Sequence, residues 1–444
     1  MKKVFIVVIL FTIVCVLLQF NERKWNNNKV LCYDVSGYYL YLPAIFLYND
    51  LAKLSFYPGI DQKYRIADGG EWYGIYEQEN TGRRVDKYPA GMAIAKLPFF
   101  LAAHTAAKLR PFHAADGYSK PYQFFISMSS ILWSAIGLYF TGKVLHTFYP
   151  AGVVVITLLL LGFGTNIFVY SWLDTGLSHP LLFMQFALFL WCFIKWQQQY
   201  ATRYLALQGL LLGWILITRP VDIMIAIIPM LYMIVELWQK KDIAGFIRRN
   251  GKGLLLAVVC FAAVTGIQLC YWKYVTGHFI HFSYEEEGFD FSNPHILKGL
   301  LSYYKGWFLY TPLAVVAIAG LFFLPPSLKR MRIPIMVYLI IIIYIVFSWS
   351  SWAYGWSFSC RALLETLMIL SIPLAAFIQR ISQLKISPRL GIGTGLLLLL
   401  SLNLFQSYQY CCNILPGEKV TEAYYWRVFL KKEASHEDRK LLSE

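Results

Sequence analysis

Charge is scarce in this sequence, and acidic charge most of all. Only 15% of the 444 residues are charged, and 25 Asp and Glu stand against 40 Lys and Arg. A soluble domain carries about 25% charged residues, so a soluble enzyme and a disordered chain are both excluded. The 8 cysteines build no disulfide framework. Cys15, Cys192, Cys260 and Cys270 fall inside apolar runs, Cys32, Cys360, Cys411 and Cys412 fall outside them, and no spacing matches a zinc site. A glycine-rich phosphate loop after a strand is missing. Internal repeats are missing too, which withdraws support from a transporter built of matched halves.

What is present is apolar surface. Hydrophobic residues make up 58% of the chain, and the mean hydropathy is +0.50. One soluble core could not bury this much in a chain of this length, so lipid must solvate much of it. The net charge of +15 would suggest nucleic acid in a soluble protein. In a membrane protein it is better read as basic residues collected in cytoplasmic loops, and no nucleic-acid partner is expected.

A helix needs about 20 apolar residues to cross the hydrocarbon. Candidate runs are 4–20, 91–109, 122–141, 151–170, 180–196, 204–218, 221–238, 253–272, 307–324, 333–347, 362–378 and 390–408. The first could be a signal peptide, but Gln19-Phe20-Asn21-Glu22 lacks a small-residue cleavage pattern, so a retained anchor is expected. Lys2 and Lys3 place the N-terminus inside. If 91–109 lies at the interface instead of crossing, the basic loops 195–203, 240–252, 329–332 and 380–389 all fall inside as well. Lys96, Pro98, His104 and Lys108 suit that interfacial placement. The expected fold is therefore all-α and polytopic, with about 11 transmembrane helices. Residues 21–120 form a long first outer loop with interfacial helices near 37–51 and 91–109, residues 1–408 form the membrane part, and 409–444 form a short outer tail.

Ionisable residues near membrane depth are functional candidates. Asp34 follows the first span, Asp174 precedes 180–196, Arg219 lies between two spans, and Arg361 closes the Trp-rich loop 348–361. Any one of them could be an interfacial charge that snorkels or pairs locally, and Arg219 with Asp222 could be a local ion pair. Together, two carboxylates and two arginines converge on one face.

This arrangement resembles the GT-C superfamily of integral-membrane glycosyltransferases, specifically the bacterial relatives of protein O-mannosyltransferases and aminoarabinose transferases. Asp34-Val35-Ser36-Gly37-Tyr38-Tyr39-Leu40-Tyr41-Leu42-Pro43 is similar to that branch's Asp-x-x-x-Tyr-Tyr-x-Tyr-Leu-Pro. Asp174 matches the second acidic position, and Lys87-Tyr88-Pro89-Ala90-Gly91 with Pro98 resembles the Lys/Tyr-Pro segment before an interfacial helix. The chain departs from the family where Val35 replaces the second acid, where paired prolines are reduced to Pro89, and where no soluble C-terminal domain follows.

The resemblance implies transfer of a sugar, with inversion, from a polyprenyl-phosphate donor to a glycan, lipid or protein acceptor. The reaction would take place on the outward face of a bacterial inner membrane. Asp34 is then the expected base and Asp174 its helper; a divalent cation, Mg2+ or Mn2+, held by these two acids is left open. Arginine forks suit phosphate, and Arg361, Arg219, Arg83, Arg84 and Lys87 are the outer-face cations. Tyr88, Trp352, Tyr354, Trp356, Tyr284, Glu285 and His179 are expected to line the substrate. Trp349, Trp352, Tyr354 and Trp356 could equally form an interfacial aromatic belt, the acidic run Tyr284–Asp290 could be a solvated loop, and His179 could be a helix-start histidine. A polysaccharide polymerase or ligase shares the outer arginines. A flippase or transporter would place charges deep in several spans, which are nearly charge-free here.

Overall fold

The apolar stretch from Val4 to Phe20 forms the first helix, α1 (Lys2–Glu22), which stops where Arg23 turns left-handed at φ 51° and donates its N–H to the Gln19 carbonyl at 2.9 Å. The computed structural model describes residues 1–67, 72–110, 112–285 and 287–443. The region between α1 and the next long helix contains α2 (Asp34–Phe46), α3 (Tyr57–Tyr64), strands β1 (Ile75–Gln78) and β2 (Arg83–Asp86), and α4 (Gly91–Lys108). The bundle continues with α5 (Lys120–His146), α6 (Ala151–Phe163), α7 (Ile167–Trp172), α8 (Ser178–Gln199), α9 (Thr202–Thr218), α10 (Ile227–Lys240) and α11 (Ile243–Thr276). Then come α12 (Ile296–Leu301), α13 (Trp307–Tyr310), α14 (Leu313–Ala319), α15 (Arg332–Phe347), α16 (Thr366–Ser382), α17 (Ile386–Cys411), α18 (Glu422–Val428) and α19 (His436–Arg439). Among the described residues, seven helical stretches are long and apolar enough to cross a membrane, and four more apolar helices are shorter.

The chain is mostly helical but not all-α. Strands β1 and β2 pair antiparallel from Ile75↔Asp86 to Gln78↔Arg83. Gly82 permits their turn by taking φ +60° and donating its N–H to the Gln78 carbonyl at 2.8 Å.

The long loop leaves and returns at one end of the bundle. The Val30 and Leu31 N–H groups both donate to Oε1 of Gln123, in the first turn of α5, at 3.1 and 2.8 Å. At the far end of α5, Gly142 packs on Val4 near the start of α1, so these two helices run antiparallel. Helix α4 connects points at that same end: Trp214 of α9 donates to the Gly91 carbonyl at 2.9 Å, and His104 meets the Tyr122 hydroxyl at 2.6 Å. At the opposite end, three of the basic loops meet around one recess lined by Trp196, Tyr200, Asp242, Arg249 and Arg330.

Three expected spans are interrupted. Residues 151–170 divide into α6 and α7 at Gly164, where a Cβ would come within 2.5 Å of Leu313. Residues 307–324 break at Thr311-Pro312, between α13 and α14. Residues 221–238 begin as a 3-10 turn, Pro220–Ala226. The tail folds back on the bundle: Gln409 donates to the carbonyls of Val428 and Lys431, both at 2.8 Å.

Helix α9 lies backbone to backbone on α11. A Cβ on Gly209 would fall 2.0 Å from the Ala257 carbonyl oxygen, and one on Gly213 would fall 2.8 Å from that of Phe261. Small residues one turn apart permit such approach in lipid. Gly209→Ala should therefore destabilise the bundle by about 1–3 kcal/mol, whereas Gly266→Ala, whose Cβ meets nothing within 4 Å, should not. Thermal unfolding in detergent compares them, and equal midpoints would contradict this packing.

Candidate active site

Tyr33 takes φ 47° and launches α2, so Asp34 opens the first turn of that helix. A carboxylate there is favoured by the helix dipole. One oxygen, Oδ1, accepts from the hydroxyls of Tyr88 at 2.7 Å and Tyr73 at 3.0 Å. The other, Oδ2, accepts from Nη2 of Arg361 at 2.7 Å. Burial alone would raise the Asp34 carboxyl; the Arg361 guanidinium, the Tyr88 and Tyr73 hydroxyls and the Lys87 ammonium outweigh it and hold the group below its ordinary value. Tyr88 reaches Asp34 because Asp86 accepts the Tyr88 N–H at 2.9 Å. Gly37 also makes room, since a Cβ there would lie 2.2 Å from the Tyr88 ring.

A second cluster lies beside the first, with Tyr38 and His179 each within electrostatic reach of Asp34, Arg361 and Arg219. Arg219 Nη1 donates to Glu365 at 2.7 Å, to the Ala362 carbonyl at 3.0 Å and to Asp222 at 3.5 Å. His179 Nδ1 lies 3.1 Å from the other Glu365 oxygen. The Arg219 guanidinium sits 5.6 Å from the centre of the Tyr354 ring. All three Arg219 bonds run from one nitrogen, so the rest of its fork is not committed to a carboxylate. Arg361 likewise spends one nitrogen on Asp34, and among the described residues no hydrogen bond engages the rest of its fork.

Lys87 also belongs here. It bonds Glu287, and its ammonium is 5.0 Å from the Tyr284 ring centre. Of the acidic run, Glu287 and not Glu285 reaches the site: Glu285 is exposed on its turn, and Glu286 lies outside the described residues. Tyr284 packs edge-on against Tyr88 and Trp349.

The remaining candidates go elsewhere. Asp174 gives one oxygen to Lys24 at 3.1 Å and the other to the Tyr410 hydroxyl at 2.6 Å, sharing no partner with Asp34. Arg83 turns to the Tyr274 carbonyl and ring, and Arg84 pairs with Glu77 at 3.0 Å over Trp72. Adjacent on β2, the two point to opposite faces: Arg83 is held by α11, and Arg84 by Glu77 across the hairpin. Trp352 packs on His295 and Tyr304, and Trp356 covers Gly417, so neither walls the Asp34 cluster. Of the Trp-rich loop, Tyr354 and Arg361 face it.

The fit for a shared cation is poor. All four carboxylate oxygens of Asp34 and Asp174 already accept from protein donors, and one donor on Asp34 is a guanidinium. Among the described residues no group of three or more His, Cys, Asp or Glu side chains gathers as a metal site.

Compared with protein-family models and with curated proteins, the chain matches none. The site therefore rests on its own geometry. Sequence reasoning missed Glu365, Tyr73, Lys24, Tyr410 and Lys305. Glu365 was findable, as the acid four residues past Arg361 at the start of an apolar run. Tyr73 and Tyr410 had no signal among 31 tyrosines. Lys305 is almost wholly buried and donates to Gly355, to Ser357 and to Gly417, tying the Trp-rich loop to the tail.

The lowered Asp34 pKa has a stability consequence. Its pairing contributes above the ordinary carboxylate value of 3.8 and is lost as pH falls through the lowered one. Asp34→Asn should cost about 1.5–3 kcal/mol at neutral pH. The gap from wild type should persist down to the ordinary carboxylate value and close only below it. Unfolding midpoints measured across this range check it; equal stability at neutral pH would contradict the pairing.

Proposed function

We propose that this chain is an inverting membrane glycosyltransferase of GT-C type that takes its sugar from a polyprenyl-phosphate donor at the outer face of a bacterial inner membrane. It has 11 spans, with the N-terminus inside and α4 lying at the outer interface. The observation that carries this reading is the meeting of Asp34 with the half-used forks of Arg361 and Arg219 at one end of an apolar bundle. That is the depth at which a lipid-borne phosphate would sit, with its polyprenyl chain in the hydrocarbon.

In this reading the donor phosphate docks between Arg361 and Arg219. The phosphate competes for the Arg361 guanidinium, and loss of that partner raises the basicity of Asp34. Asp34 then accepts the proton of the acceptor hydroxyl as its oxygen attacks the anomeric carbon. The bond between that carbon and the phosphate oxygen breaks, and polyprenyl phosphate leaves as an anion that needs no strong general acid. Tyr88 and Tyr73 hold the carboxylate in line, while Tyr284, Tyr354 and Lys87 line the sugar. Asp174 acts at a distance, by tying the start of the outer loop through Lys24 to the tail through Tyr410.

With the purified protein and a panel of polyprenyl-phosphate sugars, Asp34→Asn should lower the transfer rate by about 10²-fold or more. Asp174→Asn should be milder, because it shares no partner with Asp34. Arg361→Lys should weaken donor binding, since a point charge cannot reproduce a bidentate phosphate contact. Near-normal transfer by inserted Asp34→Asn protein would overturn the assignment. A cysteine placed at Lys120 should label from outside intact cells; labelling from the cytoplasmic side alone would overturn the sidedness.

A further inference from the structure

Charge counting around the site leaves one residue over. Asp34 pairs with Arg361, Asp174 with Lys24 and Glu287 with Lys87. Among the described residues Asp86 faces no cation and accepts the Tyr88 N–H, and Asp222 and Glu365, both with 0% side-chain exposure, share the single cation Arg219. They come from separate elements, the turn Pro220–Ala226 and the residue before α16. Their carboxyl groups are nevertheless within hydrogen-bonding reach of each other. Asp222 Oδ1 has no donor in the structure. Two carboxylates in contact in a dry interior, facing one guanidinium, would leave a buried charge uncompensated. A proton on Asp222, donated to Glu365, removes that surplus and satisfies the orphaned oxygen.

We propose that Asp222 and Glu365 form a one-proton carboxyl pair that holds Arg219 in place, and that an anion docking on Arg219 draws a second proton from solvent onto the pair. The second half rests on the reading of Arg219 as a phosphate ligand; the first does not. An anion that engages the guanidinium removes part of the counter-charge from the pair, so the second carboxyl binds a proton, and release of the anion returns it. The other groups facing the pair are Tyr338, Tyr354, His179 and Cys360. Tyr338 spends its hydroxyl on Thr366 at 3.2 Å, and Tyr354 donates to the Val346 carbonyl at 2.8 Å. His179 offers Nδ1 to Glu365, with Arg361 and Asp34 beyond it, and Cys360 is a buried thiol. By linkage, proton uptake on binding means that anion affinity rises as pH falls.

Infrared difference spectroscopy on the full chain in detergent tests the pair without any ligand. The C=O stretch of a protonated carboxylic acid should be present in wild type and in Asp34→Asn, and one such band should be lost from both Glu365→Gln and Asp222→Asn, while any band from Asp86, which is buried without a cation, stays. A spectrum without that band, or one unchanged in both variants, would overturn the pair. Because Glu365→Gln could loosen the fold, Glu365→Asp serves as the conservative control and should retain the band. Inorganic sulfate, which does not titrate near neutrality, tests the coupling by calorimetry in two buffers of different ionisation heat. Wild type should take up close to one proton per sulfate and lose up to about tenfold in affinity per pH unit, and Glu365→Gln should bind without uptake. Sulfate binding to wild type without proton uptake would overturn the coupling. No sulfate binding would instead remove the anion site on which the coupling rests, while the infrared result on the pair would stand.

Discussion

The ion pair between Asp34 and Arg361 joins residues 327 positions apart. It ties α2 to the loop that precedes α16, and most of the site is arranged to support it. Tyr88 is positioned by Asp86 and admitted by Gly37 so that its hydroxyl reaches the same carboxylate. Lys305, which donates to Gly355 and Ser357 of the Trp-rich loop and to Gly417 of the tail, fixes the stretch of chain that delivers Arg361. An anionic carboxylate and a guanidinium at the end of an apolar bundle stabilise each other there, and either one left alone would bear a desolvation cost.

The same pairing explains why the site can be both stable and responsive. A carboxylate held below its ordinary pKa is a weak base while Arg361 stays on it. Basicity returns when an anion takes the guanidinium, so in the proposed reaction the donor's arrival prepares the base. Arg219 is held differently, from behind, by two buried acids and the Ala362 carbonyl. In the proposed reaction the two arginines thus divide the work: one is exchanged between carboxylate and ligand, while the other is a fixed fork with an uncommitted edge.

Much of this was legible in the sequence, and its limits have physical causes. Asp34 and Arg361 stood out because charge at the end of an apolar run is costly and therefore informative. The interfacial placement expected of 91–109 followed from basic loops alone; α4 bonds α9 at Gly91 and meets the start of α5 at His104. The hairpin was missed because β1 and β2 are each 4 residues long and carry too few side chains to show a period. Arg83 and Arg84 were indistinguishable from site arginines until the strand pairing fixed their directions. Asp174 looked like a partner of Asp34 because both follow span ends. Whether two such acids touch depends on which neighbours reach them first, and here Lys24 and Tyr410 reach Asp174. The break at Gly164 goes with close packing on Leu313 and that at Pro312 with the proline's missing N–H, neither of which hydropathy reports.

The central claim is that Arg361 is exchanged from Asp34 to a lipid-borne phosphate. A structure of the full chain in a lipid nanodisc with a polyprenyl phosphate bound tests this directly. The account predicts phosphate density between Arg361 and Arg219, with the Asp34–Arg361 contact opened and the Tyr88 and Tyr73 contacts to Asp34 kept. Bound lipid whose phosphate lies elsewhere, with the Asp34–Arg361 pair intact, would contradict it.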